Sequence, residues 1–208
     1  MRHTTSTIPR AAVRGSSLGV MFMALFGTLW AGIGIGGLQG WGSTWLIITA
    51  VIVGLLLLSG GISLLVASKQ LPQSAVSDTH RRKRVWIWFG IIFTIEGAAI
   101  GAASAICTAA NHFNLLFPVM AIIVGVHFLP LAPLFRIKAH YVTGTLLTLL
   151  AIATLLFVPE RAAFGGHPVI TWWLVVGFGS ALILWGTGLK IWLIGKKWIA
   201  ASLINKEQ

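Results

Sequence analysis

The chain has 208 residues, 57% of them apolar and only 9% charged, with ten tryptophans and a formal net charge of +11. Those proportions exclude an ordinary water-soluble domain, and four acidic side chains leave almost nothing for carboxylate metal cages or Mg²⁺-dependent phosphate chemistry. Nor does the positive charge indicate nucleic acid as a partner, because the Lys and Arg residues sit between apolar runs rather than over a polar surface.

A bilayer core about 30 Å thick needs about 20 apolar residues at helical rise. Six such runs follow one another: 18–38, 45–67, 85–107, 114–135, 141–158 and 169–194. None alternates polar with apolar, which excludes an outer-membrane barrel. The predicted fold is all-α, a single polytopic domain forming a bundle of six transmembrane helices, with the lipid bilayer as its partner. The first run follows basic residues, as a secretory signal does. It exceeds a signal core, lacks a small-x-small cleavage site and precedes five more spans, so it reads as a span.

The connections are short except 68–84, which holds Pro72, Asp78 and the run His80, Arg81, Arg82, Lys83, Arg84. It reads as a solvated basic loop beside anionic headgroups. Residues 197–208 are expected to continue the sixth helix and fray into water.

Arg2, Arg10, Arg14, the 68–84 segment, Arg136, Lys138, Lys190, Lys196, Lys197 and Lys206 all fall at one end of the predicted bundle, and Arg161 alone at the other. Short loops rich in Lys and Arg stay cytoplasmic, so both termini are expected in the cytoplasm, and the membrane is read as the bacterial cytoplasmic (inner) membrane. Tryptophan belts agree: Trp41, Trp45, Trp172 and Trp173 mark the charge-poor edge, and Trp86, Trp88, Trp192 and Trp198 the basic one.

Small residues recur at helical spacing (Gly32 and Gly36, Gly97 and Gly101, Gly177 through Gly188), which lets helices approach closely within this chain or in an oligomer. Spans two, four and six share a short apolar pair ending in glycine: Ile52-Val53-Gly54, Ile123-Val124-Gly125 and Val175-Val176-Gly177. Such tripeptides are common in membrane helices, so they make only a faint repeat. Cys107 is the single cysteine, which rules out an intrachain disulfide and a Cys-based zinc site.

Two side chains stand out inside the spans. Glu96 lies eleven residues into span three, roughly 16 Å from its basic end and so near the midplane, where an ionisable group is costly without a partner. His127 lies eight residues, roughly 12 Å, from the basic end of span four, at nearly the same depth. It opens the segment His127-Phe128-Leu129-Pro130-Leu131-Ala132-Pro133, whose prolines cannot donate to the carbonyls of Val126 and Leu129 and should bend the helix. Thr28, Ser59, Thr148 and Thr187 fall at comparable depth, and Thr148 and Ser59 complete the candidate binding set with Glu96 and His127. Hydroxyls of this kind also bond back to their own helix. His112, His140 and His167 read as surface residues. With only His127 at core depth, a bis-histidine haem is not expected. No Walker, HExxH, nucleophile-elbow or dinucleotide motif occurs in a fitting context, so no catalytic residue, metal or cofactor is assigned.

The stretch Gly125-Val126-His127-Phe128-Leu129-Pro130-Leu131 resembles that of uncharacterised bacterial six-span membrane proteins carrying Gly-x-His-Phe-x-Pro-Leu in the fourth span. The resemblance implies the six-span fold and no particular activity. The leading expectation is a protein that translocates a proton or small solute past Glu96 and His127. The alternative is a non-catalytic membrane scaffold or stress-associated subunit. A lipid or quinone enzyme using the same pair as acid and base ranks third, since no nucleophile accompanies it.

Overall fold

The computed structural model describes residues 10–71, 79–135 and 137–204. In chain order these form α1 (Arg10–Gly37), α2 (Ser43–Ala67), α3 (Thr79–Ala109), α4 (Leu116–Phe135), α5 (Ala139–Phe157), β1 (Arg161–Phe164), β2 (His167–Ile170) and α6 (Thr171–Ile204). Each of the six helices is long and apolar enough to cross a membrane. The chain is therefore a multi-pass, all-α membrane protein, with one helix for each apolar run. Arg2, Pro72, Asp78, Arg136 and Lys206 lie outside the described residues.

Two connections differ from expectation. The basic run 80–84 forms the first turns of α3 rather than a loop, since Lys and Arg are good helix formers and a helix can continue beyond the hydrocarbon. Between α5 and α6 the chain folds into an antiparallel hairpin that pairs Arg161 with Ile170 and Phe164 with His167. Its turn is Gly165-Gly166, at φ +57° and +83°. A two-residue turn matching the strand twist needs this left-handed backbone, which glycine adopts without a Cβ clash.

Lipid supplies no hydrophobic drive between helices, so association rests on close packing. The tightest crossing joins α1 to α6. A Cβ on Gly177 would collide with the backbone of Gly34, while Phe178 covers Gly34 and Trp185 covers Gly27. Helix α2 joins through Thr28 over Gly54 and Met21 over Gly61, where Ser17 Oγ donates to the Gly61 carbonyl at 2.7 Å. Helices α4 and α5 meet where Gly125 faces Gly144 and Thr148. Helices α5 and α6 are linked by the Thr143–Thr187 hydroxyl pair at 2.8 Å. The three glycines of the faint repeat, Gly54, Gly125 and Gly177, each sit at a helix crossing.

Helix α3 is the exception. It lies along α4, and no residue of its most apolar stretch is buried. Gly90, Gly97 and Gly101 on it face open space.

The connections at the charge-poor end are tied to one another. His167 Nε2 lies 3.1 Å from the Leu38 carbonyl, joining the hairpin to the end of α1, and its ring packs beside Trp41. Asn114 Nδ2 donates to Glu160 at 2.6 Å, and Trp172 Nε1 donates to the Val158 carbonyl at 2.9 Å. His167 is thus half-buried and bonded, where a free surface imidazole was expected.

The glycine crossings predict a contrast between two α6 variants. Gly177→Ala should lower the stability of the purified protein by about 1–3 kcal/mol, because overpacking here meets backbone rather than a yielding side chain. Gly186→Ala, where nothing lies within 4 Å, should be neutral or slightly stabilising. Thermal or denaturant unfolding in detergent checks both, and equal effects would contradict the packing.

Candidate functional site

Helix α3 turns one face toward α4, and that face carries Phe89, Phe93 and Glu96 at four- and three-residue spacing, one helical stripe. Helix α4 answers with His127 and Phe135, eight residues apart on one stripe, while Phe128 turns to α5. Glu96 Oε2 and His127 Nδ1 lie 3.1 Å apart, with side chains 11% and 4% exposed. The carboxyl oxygen approaches off the direction in which a ring N–H would point, so Nδ1 lacks an aligned hydrogen bond. The contact is a close pairing of a carboxyl and an imidazole in an apolar setting, where either can hold a proton for the other.

Aromatic rings surround the pair on its basic side in a closed loop. Phe93 contacts His127 with ring centroids 6.1 Å apart, and His127 contacts Phe128 at 5.8 Å. Phe128 contacts His140 at 5.5 Å, and His140 contacts Phe135 at 6.3 Å. Phe135 meets Phe89 at 5.7 Å, and Phe89 returns to Phe93 at the same distance. Most of these contacts are tilted or edge-on, the arrangement that ring quadrupoles favour.

His140 corrects the sequence reading. It was expected at the surface beside Lys138, yet its side chain is buried at 6% exposure with Nδ1 unpartnered. The first turn of α5 already lies beneath Phe128 and Phe135, so a residue two positions from an exposed lysine is inside the bundle. Among the described residues, two imidazoles, not one, are therefore buried toward the basic end. Phe89 and Phe93 also escaped the sequence reading, although their spacing with Glu96 on one helical stripe was a usable signal.

The other candidate residues are placed elsewhere. Thr148 Oγ1 donates to its own Gly144 carbonyl at 2.9 Å and packs over Gly125, so it serves the α4–α5 seam. Ser59 is exposed on α2 and donates to the Leu56 carbonyl at 2.8 Å. It does not join Glu96 and His127, because α2 turns only its glycine-bearing face to α1 and α6. Thr28 bonds back to Ala24, and Thr187 bonds to Ile183 besides meeting Thr143. Helix α4 continues through Pro130 and Pro133, both in its last two turns. Among the described residues, no three metal-ligating side chains gather. No family model, curated protein or solved structure matches the chain.

Pairing of this kind predicts non-additive stability. Glu96→Leu and His127→Leu should each destabilise by stranding the partner, while the double variant should recover about 0.6–1.7 kcal/mol of the summed loss, the range for polar pairs between membrane helices. A double-mutant cycle measured by unfolding in detergent tests it, and strict additivity would show the two groups to be uncoupled.

Proposed function

We propose that the protein is a small transporter of the bacterial cytoplasmic membrane, with both termini cytoplasmic, that passes a proton, alone or with a small solute, through Glu96 and His127. The carrying observation is the 3.1 Å approach of an acid and a base across the α3–α4 seam, within the apolar spans. Ionisable groups are rarely retained at that depth without a task. A carboxyl and an imidazole in contact can exchange a proton without leaving an unbalanced charge behind. Protonated carboxyl with neutral imidazole and carboxylate with imidazolium are the two forms of one pair.

His140 extends this reading toward the basic end. It and His127 rest on the same Phe128 ring. For a proton leaving the pair toward that end, His140 across the Phe128 ring is the next group able to take it. Movement of Phe128, or a water admitted beside it, supplies the step between the two imidazoles.

The alternative, a scaffold or stress-associated subunit, draws on α3, whose Gly90, Gly97 and Gly101 are open to a partner helix. It predicts that Gly97→Leu with Gly101→Leu abolishes co-purification of a membrane partner, and that liposomes holding the wild type show no proton flux above protein-free ones.

In liposomes with an imposed pH gradient, Glu96→Gln should cut proton flux at least about tenfold, as loss of a required proton carrier does. His140→Phe should slow flux while leaving the Glu96–His127 coupling energy unchanged. Equal flux in wild type and Glu96→Gln would remove the transport reading.

A further inference from the structure

At the charge-poor end a cleft of about 270 Å³ opens between the α3–α4 turn and the start of the hairpin, lined by His112, Asn114, Glu160, Arg161, Phe113 and Trp172 among others. The whole sequence has four acidic residues. Among the described residues, Glu96 lies within the α3 span, Glu160 is the acid of the charge-poor end, and Arg161 beside it is that end's base. Both line this one cleft.

The geometry of the pair leaves each partner free to bind something else. The Asn114 amide at 2.6 Å and the Arg161 Nε at 3.6 Å both address the same oxygen, Glu160 Oε1. Oε2 takes neither contact and can accept from a donor in the cleft. Arg161 is engaged through Nε, and its side chain is 72% exposed, so the terminal guanidinium nitrogens stand outside that contact. His112 also lines the cleft. A carboxylate oxygen, the guanidinium beside it and an imidazole in the same lining give the cleft groups of both kinds, complementary to a ligand carrying a cationic donor and an anion together.

The frame is stiff enough to serve as a site. Trp172 is fixed to the Val158 carbonyl, the Glu160 carbonyl accepts the Thr171 N–H at 2.9 Å, and Phe113 packs edge-on against Trp173 and Phe117. Position narrows the ligand. The cleft lies beside the first turns of α4 and α6 with the exposed ring of Phe113 in its lining, at the end of the bundle that also carries the exposed Trp41 and Trp45, and aromatic residues of this kind mark headgroup depth.

We infer that this cleft binds a zwitterionic ammonium–phosphate group, with phosphate oxygens on Arg161 and His112 and the ammonium on Glu160 Oε2. The same chemistry occurs in the head group of phosphatidylethanolamine and in free phosphoethanolamine. Phosphatidylglycerol offers the phosphate without the ammonium. Phosphatidylcholine offers a cation without N–H donors.

The test uses the purified full-length protein in detergent, with native mass spectrometry of lipid retained after addition of equal short-chain phosphatidylethanolamine, phosphatidylcholine or phosphatidylglycerol. Phosphatidylethanolamine should be retained about tenfold over either other lipid, in line with one charge-assisted hydrogen bond. Glu160→Gln should erase the preference over phosphatidylglycerol. Arg161→Gln, at an exposed position where folding is not at stake, should weaken retention of phosphatidylethanolamine about tenfold. Competition by millimolar free phosphoethanolamine would identify the free compound as a ligand in its own right. Failure to compete, with lipid preference intact, would assign the site to the lipid. Retention indifferent to headgroup, or unchanged in both variants, overturns the inference. Because neither variant touches Glu96 or His127, the outcome is independent of proton flux.

Discussion

Close backbone contact is the constraint on which the bundle depends. Helices in lipid gain nothing by hiding apolar surface from one another, so they associate where their axes can come near enough for dense dispersion contact. Gly34 against Gly177 is the nearest such approach, and it makes α1 and α6 the central antiparallel pair. Helix α2 attaches to this pair through Gly54, Gly60 and Gly61, and α5 through Gly179 and the Thr143–Thr187 bond. Helix α4 then joins α5 at Gly125 and Gly144. Polar side chains in the spans mostly bond to their own helix. Serine and threonine hydroxyls donate three or four residues back, leaving the glycines to set spacing.

Helix α3 stands outside that scheme. It presents no glycine to a neighbour, and what it offers α4 is a stripe of two phenyl rings and a carboxyl. The one acidic residue at mid-depth is thus carried by the helix least embedded in the bundle. A carboxyl on α3 and an imidazole on α4 are held across a seam of rings, to which Phe22 of α1 adds its contact with Phe93, whereas a pair between α1 and α6 would be locked by backbone contact.

The six spans were legible because twenty consecutive apolar residues have few other uses, and the common depth of Glu96 and His127 followed from helical rise alone. Their mutual facing was not legible, since rotation of a helix about its axis is decided by packing partners that composition does not name. Ser59 shows the same limit from the other side: its depth matched, but its side of α2 looks outward. His140 was misplaced because Lys138 marks the membrane edge, while the rings of Phe128 and Phe135 extend cover past that edge. In the hairpin, Gly165-Gly166 was a readable turn signal, but Pro168 in the second strand argued against sheet. The aromatic loop required pairings across three helices, and sequence spacing supplied only the two stripes that contribute to it.

One asymmetry between the two ends of the bundle has a mechanical consequence. Where His167 meets Leu38 and Asn114 meets Glu160, the three connections are cross-braced by polar bonds. At the opposite end, α4 and α5 come together through the rings around His140. The braced rim is a fulcrum for α3 above all, because α1, α2 and α6 are clamped toward the other extremity as well, by Ser17 on the Gly61 carbonyl and the packing of Val13, Leu64 and Ile191, and α5 is held to α6 through Thr143 and Thr187. Leverage therefore grows along α3 toward its basic first turns.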